Sequence, residues 1–187
     1  MDVELAYGDD KIRLTLPDTV TVDEYAPVTV GQPPGREEFL SGLNESDVHA
    51  LSSDDILIVV NDAHRNTPTA LVLTWLEEVV PGLLGRASFL VACGTHAIPD
   101  ENQLSRIFGE HLSGIADRIS CHDCDDSQSM KSVGSDHFGC EVRFNRMIFE
   151  HEAVFIINSV EPHYFAGYTG GRKSLTPGLA DRATIER

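Results

Sequence analysis

His163 and Lys173 bracket the run His-Tyr-Phe-Ala-Gly-Tyr-Thr-Gly-Gly-Arg-Lys, the densest concentration of chemistry in this 187-residue chain. Gly167, Gly170 and Gly171 remove side chains from the backbone, so a bound molecule can approach the main chain closely. An imidazole precedes these glycines, and two cations, Arg172 and Lys173, follow them. The combination suits a small anionic ligand that also undergoes proton transfer or covalent chemistry. Lysine is scarce, with only Lys11, Lys131 and Lys173 against 11 arginines, which makes Lys173 less readily surface filler.

Two further polar clusters follow runs that read as buried strands. Asp55–Val60 leads into Asn61-Asp62-Ala-His64-Arg65-Asn66-Thr67-Pro68, and Ala87–Cys93 leads into Gly94-Thr95-His96. A third run, Ala153–Asn158, leads through Glu161 to His163 and the glycines. In open parallel sheets ligands bind beyond the carboxyl ends of the strands, so all three clusters are expected on one rim. Arg65 offers a planar fork for a carboxylate or phosphate, with Asp62 as its anchor or as an acceptor from a hydroxyl. Thr67 is placed to cap a helix starting at Pro68, whose N-terminus favours an anion. His96 and His163 come from different strands and can face a substrate from opposite sides, each able to take and return a proton. The plainer alternatives are an Arg65–Asp62 ion pair and a His96 that merely caps the next helix.

The elements that must position these residues are legible around them. The first thirty residues alternate as a β-hairpin with a following extended segment, and Gly31-Gln32-Pro33-Pro34-Gly35 reads as a linker. A short helix is expected from Arg36 to about Leu43. Helical spacing runs from Thr67 to Val80, with Leu71, Trp75 and Val79 at i, i+4 and i+8. Another helix is expected over Glu101–His111, then short strands at Arg118–Cys121 and Glu141–Phe144 and a helical turn at Arg146–Phe149. The expected fold is α/β: a layered domain with a largely parallel (mixed) sheet flanked by helices, preceded by the N-terminal β-hairpin. Residues 1–187 are read as one such domain, with residues 1–30 the hairpin and extended segment and residues 36–187 the α/β core.

Bulk composition excludes several classes. Thirty acidic against 14 basic residues give a net charge of −16, a field that repels nucleic acid and anionic membranes, so neither is an expected partner. An acidic, lysine-poor yet well-cored chain fits a high-salt cytoplasm as well as it fits an ordinary acidic protein. No run approaches the roughly 18 apolar residues of a membrane span, and Met-Asp-Val-Glu-Leu has no signal-like start, so a cytoplasmic location is expected. Gly167-x-x-x-x-Arg172-Lys173-Ser174 approaches the P-loop pattern but fails it. Arg172 replaces the second glycine, the loop lies seven residues beyond the strand end, and Pro177-Gly178 interrupts the helix that should follow. Cys121-x-x-Cys124 and His137-x-x-Cys140 have zinc-ribbon-like types and spacing, and would pin the polar stretch Asp125–Ser135; alternatively His122-Asp123 faces the active rim.

On these residues the chain resembles the N-terminal domain of the nickel-pincer lactate racemase family, the 2-hydroxyacid racemases and epimerases. The likeness runs along nearly the whole length. Its most specific parts are Glu161-Pro-His163-x-Phe-Ala-Gly-x-Thr-Gly-Gly-Arg-Lys173-x-x-x-Pro177-Gly178, Asn61-Asp62-x-x-Arg65-x-Thr67-Pro68, and Gly94-Thr95-His96. The resemblance implies a nickel-pincer nucleotide, a pyridinium-derived mononucleotide with two sulfur groups, covalently linked to Lys173. Around it, Asp62, Arg65, Thr67, Gly170, Gly171 and Arg172 would bind the cofactor. His96 and His163 would be alternating general bases on the hydroxyl of a small 2-hydroxy acid, whose carboxylate Arg65 would help to bind. Cofactor-maturation enzymes are the implied partners.

The family usually carries Arg-Pro after its aspartate motif and Arg after Gly-Thr-His. Asn66 and Ala97 stand there instead, a departure that bears on the substrate rather than on the reaction type. The family's nickel-ligating histidine and its second domain are expected beyond Arg187, so the chain is expected to be an inactive fragment without the C-terminal domain. The alternative function is a non-catalytic module that binds a small carboxylate or is stabilised by zinc.

Overall fold

A computed structural model describes residues 1–7, 10–23, 35–163 and 167–187. Gly8-Asp9 of the expected hairpin turn, most of the expected linker and Tyr164-Phe165-Ala166 of the histidine–glycine run lie outside the described residues.

The chain divides into two compact units, Met1–Pro34 and Gly35–Arg187. The first holds the antiparallel strands β1 (Asp2–Tyr7) and β2 (Asp10–Thr15), with Val3 opposite Leu14 and Leu5 opposite Ile12. The second begins with helices α1 (Arg36–Ser41) and α2 (Glu45–Leu51), followed by β3 (Ile56–Asn61), α3 (Thr69–Val79), α4 (Leu83–Arg86) and β4 (Ser88–Ala92). Next come α5 (Glu101–Phe108), α6 (Leu112–Ile115), β5 (Ile119–Cys121), β6 (Met130–Ser135), β7 (Glu141–Asn145) and β8 (Ala153–Ile157). The short pair β9 (Pro162–His163) and β10 (Gly167–Tyr168), a 3₁₀ turn at Gly171–Ser174 and α7 (Arg182–Ile185) complete it. Among the described residues no helix is long and apolar enough to cross a membrane.

The core is a four-stranded sheet in the order β5-β4-β3-β8, parallel throughout. Central β3 is buried along Ile56–Val60 because both of its faces are covered, which explains its unbroken apolar run. On one face Ile56, Ile58, Val60, Phe89 and Val91 pack against helical residues that include Leu51, Leu73, Leu76 and Phe108. On the other, Leu57, Val59 and Leu90 meet Leu179, with Met147, Ile148 and Leu175 at the margin. The last segment of the chain therefore serves as the second covering layer.

Local expectations hold with instructive shifts. A second helix, α2, follows the expected one, started by an Asn44–Asp47 capping box. On α3 the buried stripe is Thr69, Val72, Leu73 and Leu76, one residue out of phase with the expected Leu71, Trp75 and Val79. Leu71 is 48% exposed, and Trp75 lies on the flank against Phe39 of α1. Both stripes have helical spacing, so periodicity alone does not choose between them. Strand β6 occupies part of the stretch expected to need a metal. It pairs antiparallel with β7, and Asp136 closes the turn by accepting from the backbone N–H groups of Phe138 and Cys140, each at 2.9 Å.

Strand order reverses at β3. The chain moves outward through β4 and β5, then returns to place β8 on the other side of β3. Beyond the carboxyl ends of β3 and β8 the connections diverge and leave a crevice, the usual position of a ligand in such sheets.

Candidate functional site

Three strand ends build the rim of this crevice. After β3 the chain turns tightly, with the Arg65 N–H donated to the Asp62 carbonyl at 3.2 Å. After β4 a second turn closes through the His96 N–H and the Cys93 carbonyl at 2.9 Å. Gly94 in that turn has φ +56° and donates its N–H to the Gly178 carbonyl at 3.0 Å, tying the turn to the C-terminal loop. After β8, residues Asn158–Glu161 lead into the β9–β10 ribbon.

The turns bring Asp62 and His96 together. The Asp62 side chain is 7% exposed and accepts a hydrogen bond from His96 Nδ1–H at 2.5 Å. A carboxylate can only accept, so this contact fixes the imidazole tautomer and leaves Nε2 for other chemistry. Asp62 was expected to anchor Arg65, but Arg65 instead faces Glu161, with Nη1 to Oε2 at 3.6 Å. A single buried carboxylate is already engaged by the imidazole, and the guanidinium reaches the next acid on the rim.

Thr67 does not cap α3, whose N-cap is Pro68 with no side-chain capping bond. Its hydroxyl accepts from Asn61 Nδ2 at 2.8 Å and donates to Ser159 Oγ at 3.0 Å, joining the ends of β3 and β8 across 92 residues of sequence. Ser159 Oγ passes the chain on to Glu161 Oε1 at 2.7 Å. Buried Thr169 holds the next layer, accepting from the Glu161 N–H at 2.8 Å and donating to the Ser159 carbonyl at 2.9 Å. Glu161 and Thr169 stand in the quoted motif and Ser159 beside it, yet the sequence assigns none of the three a role. The signal was the polar run after a buried strand, which gives no partners.

This network sets the glycine loop. Asn158 donates through Nδ2 to Ser174 Oγ at 2.8 Å and accepts the Gly171 N–H at 3.3 Å. The 3₁₀ turn then presents Lys173, half-buried, to the cleft, with Nζ buried. Asp62, Arg65, His96, His163, Arg172 and Lys173 all line one cleft of about 800 Å³. These six residues come from the three strand-end clusters that the sequence expects on one rim. Gly170 lines the same cleft, while Thr67 supports it from behind.

Electrostatics in the cleft favour neutral nitrogen. Burial, then the Arg65 charge, lowers the Lys173 pKa from its ordinary value. Burial, then Lys173 and Arg65, lowers that of His163 below 6.5. Each charged form is disfavoured, so at neutral pH the His163 imidazole is mainly neutral and Lys173 has a larger neutral amine fraction than a surface lysine. An NMR titration of the His163 ring is expected to give a midpoint below 6.5. Lys173→Met should move it upward, but not past that value, because burial persists. A wild-type midpoint at or above 6.5 would contradict this electrostatic picture.

Cys93, also on the cleft wall, is buried, and that burial, then Cys121 and Asp62, pushes its thiol up to about 12, which disfavours the thiolate. The zinc set Cys121, Cys124, His137 and Cys140 is not gathered. Among the described residues, the groups of three or more ligand atoms within 4.8 Å of one another are Asp62/His64/His96 and Asp123/Cys124/Asp125. Cys121 ends a sheet strand, whereas His137 and Cys140 belong to the β6–β7 turn, which Asp136 closes through its own side chain. Nor does His122 face the rim. It is fully buried, donating from Nε2 to the Ala180 carbonyl at 3.0 Å.

Residues 7–187 match the lactate racemase N-terminal domain family. The chain is 25% identical over 192 residues to a lactate racemase of Thermoanaerobacterium thermosaccharolyticum, across 96% of this chain and 44% of that protein. It is 31% identical over 140 residues to a lactate racemase of Lactiplantibacillus plantarum, across 73% of this chain and 32% of that protein. The chain therefore spans less than half the length of these curated relatives. In three dimensions it resembles the lactate racemase apoprotein from T. thermosaccharolyticum, with a TM-score of 0.74 at 24% identity over 99% of this chain and 45% of that one. A Thermotoga maritima protein of known crystal structure gives 0.67 at 26% identity, over 83% and 41%.

Proposed function

The chain belongs to the lactate racemase N-terminal domain family, and from that premise we propose that it is the cofactor-anchoring, proton-transferring part of a racemase or epimerase of a small 2-hydroxy acid. The observation that carries this reading is the gathering of His96, His163, Arg65 and Lys173 around one cleft at the strand-order reversal.

The residues present fit the nickel-pincer nucleotide that the family resemblance implies. A cleft of about 800 Å³ accommodates a mononucleotide and a small acid together. The Lys173 amine is buried in that cleft with a lowered pKa, as an amine that forms a covalent link needs. Gly170 lines the same cleft, and Arg65 and Arg172 supply charge for a phosphate or carboxylate. When bound, the group supplies a hydride sink at C2, where a C–H is too weakly acidic for an imidazole to remove.

The remaining work belongs to the chain. Arg65, steadied by Glu161, binds the substrate carboxylate. His96 takes the hydroxyl proton at Nε2 for one enantiomer while Asp62 stabilises the imidazolium through Nδ1–H. His163, held neutral by its surroundings, does the same for the other enantiomer. A racemase must act on both faces, hence two bases.

The test is a family protein that carries this chain, matured with the cofactor-building enzymes and given one enantiomer of lactate deuterated at C2. The proposal predicts racemisation with the deuterium retained. Washout of the label to solvent contradicts hydride return, and binding without turnover contradicts the enzyme reading altogether.

A further inference from the structure

One histidine on the rim, His64, is left over from these roles. His64, on the turn after β3, has an exposed ring lying 4.5 Å from that of His96, centroid to centroid, at an interplanar angle of 58°. One ligand atom each from Asp62, His64 and His96 lies within 4.8 Å of the other two. Two imidazoles and a carboxylate are the donor set of zinc and other borderline divalent cations. These bind at about 2.0–2.2 Å, which places neighbouring donors roughly 3–3.5 Å apart. An ion held here replaces the Asp62–His96 hydrogen bond: the two side chains rotate apart, His96 Nδ1 becomes the ligand atom, and its proton passes to Nε2.

The backbone holds the three in place. Asp62 Oδ1 accepts the His64 N–H at 3.2 Å, orienting the carboxylate and leaving Oδ2 towards His96. His96 is fixed by its own turn hydrogen bond to Cys93. The buried carboxylate supplies the anionic ligand, while both rings are open to solvent, so water can complete the coordination. Arg65, the cation on the same turn, has its charge matched by Glu161.

We propose that Asp62, His64 and His96 form a binding site for a divalent transition-metal cation, with zinc the best-matched ion, distinct from the group anchored at Lys173. Occupancy holds His96 as a ligand. This consequence rests on the functional reading above: a metal-held His96 takes no proton from substrate, so zinc in this site inhibits turnover.

The site is tested on the metal-free 187-residue chain by calorimetric titration with zinc chloride and by the visible spectrum of added cobalt(II). These measurements read the site whether or not the racemase reading holds. The proposal expects one equivalent of zinc, weakened at least about tenfold in His64→Ala. Cys124→Ser, which removes the competing Asp123/Cys124/Asp125 group, should bind as wild type does. Cobalt should show nitrogen- and oxygen-ligand bands without thiolate charge transfer. His64 is exposed, and an unchanged far-UV circular dichroism spectrum confirms that its removal leaves the fold intact. Unaltered affinity in His64→Ala, or loss of binding in Cys124→Ser, overturns the assignment.

Discussion

Substituting His96 with alanine in a matured family protein is expected to lower kcat/KM by about 100- to 10,000-fold, the usual contribution of a positioned acid–base group. The loss must be equal in both directions of racemisation, because the equilibrium constant between enantiomers is unity and fixes the ratio of the two kcat/KM values. Asp62→Asn should cost at least about 100-fold, since an amide that can donate as well as accept no longer enforces the Nδ1–H tautomer seen at 2.5 Å. The two residues act as a unit. Asp62→Asn introduced on top of His96→Ala should therefore add little, and a fully additive double variant would show that Asp62 acts by some other route.

A large effect on folding is expected at Gly170. Its φ of +81° and ψ of 178° lie in a region essentially restricted to glycine. A Cβ there would stand 2.9 Å from both Asn158 Oδ1 and Val160 Cγ2, and 3.0 Å from the Ser159 carbonyl. Backbone strain and overpacking together make Gly170→Ala cost about 2–4 kcal/mol. In a chain of this size that lowers Tm by roughly 4–16 °C. Gly171 is the internal control. It too has positive φ, +52°, but a Cβ would meet nothing within 4 Å, so Gly171→Ala carries only the backbone penalty of about 1–2 kcal/mol. Equal melting temperatures for the two variants would contradict the close approach at Gly170.

What was legible in the sequence follows from what each element buries. Strands β3, β4 and β8 read clearly because both sheet faces are covered, giving runs such as Ile-Leu-Ile-Val-Val with no polar interruption. Strand β6 did not, because only Met130 of its six residues is buried and its composition matches a loop. The phase of α3 was ambiguous because Leu71 and Leu73 are chemically equivalent, and only the sheet beneath decides which one points inward.

At the site, residue types with distinctive chemistry were found: His96, His163, Arg65 and Lys173 all reach one cleft. Their pairing was not. Asp62 and Arg65 are three residues apart and invite an ion pair, yet His96, 34 residues away, takes the carboxylate. Thr67 and Ser159 are 92 residues apart, and nothing local announces that one hydroxyl bridges two strand ends. Partners set by tertiary packing leave no trace in spacing.

Most directly at stake is Lys173 as the anchor of the catalytic group. Peptide mass spectrometry of a family protein carrying this chain, produced together with the cofactor-building enzymes, reads that claim. A mass increase matching the nucleotide, confined to the peptide with Lys173 and absent from those with Lys11 and Lys131, is the predicted result. An unmodified Lys173 in protein that racemises its substrate would contradict it.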